Sequence, residues 1–343
     1  MQTFHNRDHG VHESQSELHN GKLVRSFECP ERMAVILAAL EADGFAAPED
    51  PGTPPMEVIQ RLHAPDYLAF LETAHDRWVT ENGTRDAMGF TYPLPGLRRA
   101  VPPTTIDGAM GFYGFSVDTC ITAGSWSAAL SAAACAHAAA GAVSGGERTA
   151  FALARPPGHH AHGDLFGGYC YLNNAAVAVE TLRDGGAARV ALLDIDYHHG
   201  NGSQALFWER GNVLFLSLHA DPVQEFPFFL GHADETGAGD GAGLTKNYPM
   251  PHGTGFAAWS EALEDAIRRI TAFGADAMVV SLGVDTFEGD PISQFRLQTV
   301  DFPVIGSRLA AQGLPTVFVM EGGYAVDALG ANVAGVLRGF SDA

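Results

Sequence analysis

Short apolar runs without helix breakers alternate along this chain with longer segments whose apolar residues recur at helical spacing. The runs Thr149–Leu153, Val190–Leu193, Val213–Leu218, Ala277–Leu282 and Thr316–Met320 predict buried strands, and residues 1–10 a short first strand with a polar end. Pro30 suits the first position of a helix carrying Met33, Ile36, Leu37 and Leu40 and ended by Gly44. Further helices are predicted over Pro65–Glu81, Ser125–Ser144 (alanine-rich), Asn173–Leu182, Ser203–Glu209, Phe256–Phe273, Val304–Ala311 and Asp327–Gly339. Three stretches break the rhythm. Residues 11–28 read as a polar loop with Glu13, Glu17 and Glu28. Residues 82–125, with Pro93, Pro95, Pro102, Pro103 and Arg98-Arg99, read as a long excursion, a lid or a dimer contact. Residues 219–254 read as a glycine-rich loop. The alternation defines an α/β fold with a largely parallel sheet covered by helices on both faces.

In such sheets, ligands bind beyond the carboxyl ends of strands. His159-His160, Asp196 and His198, Asp285 and Tyr324 each fall just after a different predicted strand, so four strands deliver polar chemistry to one edge. Asp196 and His198 are two residues apart, and an extended backbone turns both side chains to one side. With Asp285 they form a two-carboxylate, one-imidazole set that leaves a zinc position open for water and a substrate oxygen. His159 and His160 are the candidates for moving the water proton, a second metal site or a structural pair being the alternatives. Asp194, on the same strand face as Asp196, can orient one of these rings, and Asn201 the other. Tyr324, after two glycines that let it swing in or out, can donate to an oxyanion. His63 and His75 read as packed or exposed histidines rather than ligands.

Composition narrows the classes. At 343 residues and 46% hydrophobic, the chain can bury one large core or two smaller ones. Cys29, Cys120, Cys135 and Cys170 are scattered without a CxxC pair, which predicts reduced structural thiols and no four-cysteine zinc site. Acids outnumber bases 40 to 20, a net charge of −20 that disfavours nucleic acid. The excess fits a cationic substrate, a salty habitat or plain solubility. The N-terminus lacks a signal pattern and no apolar run is expected to span a membrane, which predicts no membrane partner and a cytoplasmic location.

Arg155-Pro-Pro-Gly-His-His, Phe166-Gly-Gly-Tyr-Cys, Asp194-Ile-Asp-Tyr-His-His-Gly-Asn-Gly, Gly283-Val-Asp and Glu321-Gly-Gly-Tyr resemble the motifs of zinc-dependent deacetylases of the arginase–deacetylase fold. The match runs in order over nearly the whole chain, so residues 1–343 are expected as a single catalytic domain. Chain length, the 82–125 insertion and the Asp-Thr-Phe-Glu-Gly-Asp-Pro run at 285–291 further resemble bacterial acetylpolyamine amidohydrolases. The resemblance implies zinc, or iron in its place, at Asp196, His198 and Asp285. It implies His160 as general base and acid, His159 as an electrostatic partner, and Tyr324 polarising the acetyl carbonyl. It implies structural potassium at Asp194, the backbone of Asp196 and His198, and Ser217 and Leu218. Tyr169 and Phe226 would wall the acyl tunnel. Glu17, Asp107 and Asp118 would bind the cationic part of a small acetylated polyamine, and the 82–125 segment would form a homodimer. Asn201 departs from the aspartate of some relatives, which weakens charge support for His160.

The implied reaction is hydrolysis of an acetyl amide to amine and acetate. A broader acetyl-lysine deacetylase is the alternative. A non-enzymatic metal-dependent binder would need neither a base nor an oxyanion donor, and a di-manganese hydrolase would need more ligands at the strand ends.

Overall fold

The protein is described here by a computed structural model covering residues 1–83 and 86–343; positions 84 and 85 of the 82–125 excursion lie outside the described residues. Seven parallel strands form one sheet: β1 (Gln2–His5), β4 (Thr149–Leu153), β5 (Val190–Asp194), β6 (Val213–Ala220), β7 (Thr245–Met250), β8 (Ala277–Leu282) and β9 (Thr316–Met320). Their order is β1-β4-β9-β8-β5-β6-β7. The remaining strands, β2 (Glu17–His19) and β3 (Lys22–Val24), make a separate antiparallel hairpin.

The central strands are buried on both faces, which is why they read as unbroken apolar runs. Their side chains alternate between two cores. Ala150 and Ala152, Val190 and Leu192, Val279, Val317 and Val319 face one, packed beneath α3 (Pro65–Asn82), α5 (Ser125–Ser144) and α6 (Asn174–Asp184). Phe151 and Leu153, Ala191 and Leu193, Val280, Phe318 and Met320 face the other, beneath α1 (Glu31–Ala42), α8 (Phe256–Phe273), α9 (Phe302–Ala310) and α10 (Val326–Ser341). Each fully buried aliphatic side chain contributes roughly 1.5–3 kcal/mol of transfer free energy. Helix α6 starts where the Asn173 side chain accepts from the Ala176 N–H, a side-chain N-cap. The small residues of α5 bring it close against β4 and α6. That helix is twenty residues long and apolar enough to cross a membrane by length and composition, so the expectation of no such run is corrected; here it is packed in the first core.

The irregular stretches hold more order than their sequences suggest. The 11–28 segment contains the β2–β3 hairpin, turned at Asn20 and Gly21, both with positive φ. The 82–125 excursion contains α4 (Ile106–Tyr113), whose Ile106 and Met110 are fully buried, and it is pinned by bridges from Ala87 to Ile121 and Gly114 to Phe166. The 219–254 loop supplies the edge strand β7. Helix α2 (Met56–Leu62), like α4, was unforeseen, and α7 (Asn201–Phe207) and α9 each begin two residues before their predicted starts.

Candidate active site

The strands β4, β9, β8 and β5 are consecutive neighbours in the sheet, although β4 and β5 adjoin in sequence. The chain order therefore switches across this group, and the carboxyl ends of these four strands open into one crevice. Each end contributes one motif. Asp194 aligns with Ser281 on one side and Ser217 on the other, which fixes the Asp196 and Asp285 loops at the same height.

Asp196, His198 and Asp285 present donor atoms within 4.8 Å of one another, all buried. His198 Nδ1 lies 3.1 Å from Asp285 Oδ2 and 3.4 Å from Asp196 Oδ1. The remaining carboxylate oxygens take backbone donors: Tyr197 N–H to Asp285 Oδ1 at 2.8 Å and Gly322 N–H to Asp196 Oδ2 at 2.8 Å. A Cβ on Gly322 would fall 2.6 Å from oxygens of both aspartates, so the close approach requires glycine. Burial, and then the Asp196 charge, push the Asp285 carboxyl up to about 8. Two buried carboxylates facing one imidazole fit a divalent cation, whose charge relieves that repulsion.

The two histidines after β4 sit beside this set. His159 Nδ1 lies 2.9 Å from Asp194 Oδ2, and its Nε2 3.8 Å from Asp196 Oδ1. Burial opposes charge on this ring, but the Asp196 and Asp194 carboxylates hold it well above the usual imidazole range. His160 Nδ1 lies 2.6 Å from Asn201 Oδ1, leaving Nε2 free on the cavity side. Burial, reinforced by His159 and His198, lowers the His160 pKa well below its ordinary value. The two neighbours' pKa values are thus driven in opposite directions. Glu321 fixes their approach, accepting from the Gly158 N–H at 2.7 Å and the His159 N–H at 3.1 Å, and burial pushes it up to about 7.

Tyr324 does not swing freely. Its N–H donates to Asp290 Oδ2 at 2.7 Å, and the Arg32 guanidinium lies 4.9 Å from its ring centre. Arg32 in turn donates to the Gly323 carbonyl at 2.8 Å, to Glu28 Oε1 at 2.9 Å and to the Glu321 carbonyl. Burial keeps the phenol protonated, Arg32 opposing that shift.

A cavity of about 510 Å³ leads to these groups. Tyr169, Phe226, Glu17 and Asp118 line it along with His160, His198 and Tyr324. Phe226 meets the edge of His160 at 5.0 Å, and Tyr169 that of Tyr324 at 5.6 Å. Asp107 is not brought there: it lies in the first turn of α4, half-buried, accepting from Asn82 Nδ2 at 3.0 Å. Within the single chain, α4 packs on α3 and turns that residue toward the α3 end, away from this cavity. Asp118 is held by the Ser116 hydroxyl and by Thr119 Oγ1 at 2.8 Å. Ser217 pairs with His219 Nδ1 at 2.8 Å, and Leu218 is buried on β6 beside it. His63 packs within the fold, its Nδ1 2.9 Å from the His162 carbonyl.

Four supporting residues escaped the sequence reading. Glu321 and Asp290 lay inside quoted motifs without a role. Glu225 lines the cavity and accepts from Tyr197 OH at 2.8 Å. His162 stands 2.8 Å from Asn201 Nδ2. Acids followed by paired glycines or a proline were the available signal for the first two; the last two depend on the course of loops that sequence does not fix.

Comparisons with known proteins agree with this geometry. The histone deacetylase domain pattern matches residues 26–340. The chain is 50% identical over 341 residues to an acetylpolyamine amidohydrolase of Mycoplana ramosa, covering 99% of both chains. It is 50% identical over 347 residues to acetylpolyamine amidohydrolase 1 of Pseudomonas aeruginosa, covering 100% of this chain and 99% of the relative. A crystal structure of the Burkholderia pseudomallei acetylpolyamine aminohydrolase superposes with a TM-score of 0.95 at 39% identity, covering 99% of this chain and 98% of that one. A metal set, a paired-histidine motif and a tyrosine at adjoining strand ends thus belong to a recognised hydrolase architecture, and the chain is a member of the histone deacetylase family of metal-dependent amidohydrolases.

Proposed function

We propose that the protein hydrolyses the acetyl amide of small acetylated polyamines, releasing acetate and the free amine, with zinc as its metal. The observation that carries this reading is the cavity itself. Among its described lining residues are the carboxylates of Glu17, Asp118 and Glu225, with no lysine or arginine, and it reaches the His160 imidazole beside the candidate metal ligands. Such a lining favours a thin cationic chain over an anionic or neutral one.

Asp196, His198 and Asp285 would hold the zinc, which when bound lowers the pKa of a water and polarises the acetyl carbonyl. His160 Nε2 accepts the water proton and later delivers one to the leaving nitrogen, since an amine departs readily only when protonated. Cationic His159, held by Asp194, stabilises negative charge developing nearby. Tyr324, kept protonated by burial, donates to the acetyl oxygen as its charge grows. Tyr169 and Phe226 enclose the acyl chain and exclude water. The carboxylates at the mouth orient the distal ammonium.

Structural potassium would sit behind this site. Asp194 and Ser217 are register partners on adjacent strands, and with the backbone carbonyls of Asp196, His198 and Leu218 they would supply an all-oxygen set suited to a hard cation. The 82–125 segment exposes Phe90, Leu94, Leu97 and Val101, between 59% and 68% accessible, an apolar run suited to a second copy of the chain. Metal analysis coupled to acetate release from acetylputrescine, acetylcadaverine, acetylspermidine and an acetyl-lysine peptide tests the proposal. Preference for the free polyamines is expected; faster turnover of the peptide would favour the broader deacetylase.

A further inference from the structure

The Asn201 side chain lies between two imidazoles. Its Oδ1 is 2.6 Å from His160 Nδ1, and its Nδ2 is 2.8 Å from His162 Nε2. We propose that His162 is a positioning residue for proton transfer: its Nε2 accepts from the Asn201 amide and thereby keeps the Asn201 oxygen turned toward His160.

A carboxylate accepts through either oxygen, so it presents an acceptor to a neighbouring ring however it is turned. An amide has one accepting end and one donating end. With the oxygen toward His160, the ring carries its proton on Nδ1 and leaves the cavity-side Nε2 as a free lone pair. A reversed amide would aim N–H at Nδ1 and draw the ring proton to Nε2, the nitrogen the reaction needs empty. Something must therefore fix which way the amide faces, and an acceptor opposite Nδ2 does so.

His162 is built for that role. It is half-buried, its N–H donates to the Leu165 carbonyl at 2.9 Å, and its own carbonyl receives His63 Nδ1 at 2.9 Å. Phe115 meets its ring edge-on at 5.8 Å. Burial pushes its pKa down to about 4; Asp164 opposes this and Arg99 adds to it, so the ring stays a neutral acceptor. Arg99 comes from the 82–125 segment and pairs with Asp164 at 3.0 Å, so the same segment holds the wall beside His162.

The inference rests on the proposed deacetylase reading, in which His160 moves the proton, but not on which amide is cleaved. The test compares His162→Leu, which fills the space without an acceptor, with His162→Gln, which keeps one. His162→Leu is expected to lower kcat on the order of ten- to a hundredfold with KM within about twofold, and His162→Gln to recover most of the loss. In an Asn201→Asp background, where neither orientation matters, the loss from His162→Leu shrinks to less than about threefold. Equal losses in both backgrounds, a loss carried by KM, or a glutamine as harmful as leucine would overturn the proposal. Nitrogen-15 spectra of the wild-type holoenzyme decide the matter without any variant or substrate. His162 Nε2 must be unprotonated and the His160 proton must sit on Nδ1; the opposite tautomers refute the role while leaving the deacetylase reading intact.

Discussion

The Tyr169 hydroxyl donates to Glu17 Oε1 at 2.9 Å, joining two residues that line the cavity. The other Glu17 oxygen takes the Ser26 hydroxyl at 2.9 Å and the Phe27 N–H at 3.2 Å, and the side chain is almost wholly buried. Burial raises the Glu17 pKa, and these hydrogen bonds oppose the rise. Tyr169 itself holds φ at 65°, the left-handed region, with its N–H tied to Thr119 Oγ1 at 2.8 Å. Glu17 is thus a buried acid that also braces a cavity-lining residue held in the left-handed region, and the proposed function gives its charge a second role.

These two roles separate in Glu17→Gln, which keeps the hydrogen-bonding shape and removes the charge. For acetylputrescine, KM is expected to rise about tenfold with kcat changed less than about threefold, the loss of one charge-assisted contact. A neutral N-butylacetamide, lacking the distal ammonium, should show little change. An equal effect on both amides in steady-state kinetics would assign Glu17 to bracing alone.

Gly168 tests how tightly the base is framed. Its φ is +56°, and a Cβ there would lie 2.3 Å from His160 Cδ2. Gly168→Ala therefore adds backbone strain and displaces the imidazole. Because small misplacements of a reacting group are costly, kcat is expected to fall about a hundredfold or more. A melting point within a few degrees of wild type would show that the damage is local, and retained kcat would show that the loop can move away.

Much of this arrangement was legible in the sequence. The five long apolar runs became the central strands because burial on both faces leaves no polar alternation to confuse them. The candidate metal set was legible because Asp196, His198 and Asp285 follow those strands directly, and the geometry brings their ligand atoms within 4.8 Å. What was missed lies where the pattern weakens. Strand β7, Thr-Lys-Asn-Tyr-Pro-Met, is a sheet edge, where proline and lysine are tolerated. Helix α4 carries Gly108 and Gly111, poor helix formers; a Cβ on Gly111 would strike the Thr91 carbonyl at 1.6 Å, so tertiary packing overrode propensity. The β2–β3 hairpin did carry a signal, Asn20-Gly21, the pair best suited to a tight hairpin turn.

In the proposed reading, a metal held by Asp196, His198 and Asp285 would be a structural component as well as a chemical one. Chelation is expected to abolish acetate release and to lower the melting temperature, both restored by adding the divalent metal back, because a site that binds only the folded state stabilises it. Asp285→Asn should lower kcat by a factor on the order of a thousand and weaken metal retention in dialysis. If the chelated enzyme kept full activity, the two carboxylates and the imidazole would have to be a structural cluster instead.

Behind the tyrosine loop, Glu28 is buried between two arginines, with Arg155 Nε at 2.7 Å and Arg32 Nη1 at 2.9 Å from Oε1, and His12 Nε2 3.7 Å from Oε2. Burial disfavours the Glu28 charge, but Arg155, Arg32 and His12 outweigh it and lower the carboxyl from 4.5 to about 2. A carboxyl depressed on folding contributes stability that is complete above its unfolded pKa and is lost as pH falls toward the folded one. Here the window runs from about 4.5 down to about 2, and the contribution is about 3 kcal/mol at neutral pH. Glu28→Gln removes that dependence and leaves two buried guanidinium groups without their carboxylate, so it should destabilise by about 3–5 kcal/mol at pH 7. Denaturant unfolding across this range is expected to show the gap between wild type and variant narrowing as pH drops, since protonation takes from the wild type what the substitution has already removed. A gap that stayed constant from pH 5 to pH 2.5 would mean that Glu28 titrates no differently in the folded chain, and that the arginines owe their place to their backbone partners at His9, Glu321 and Gly323 instead.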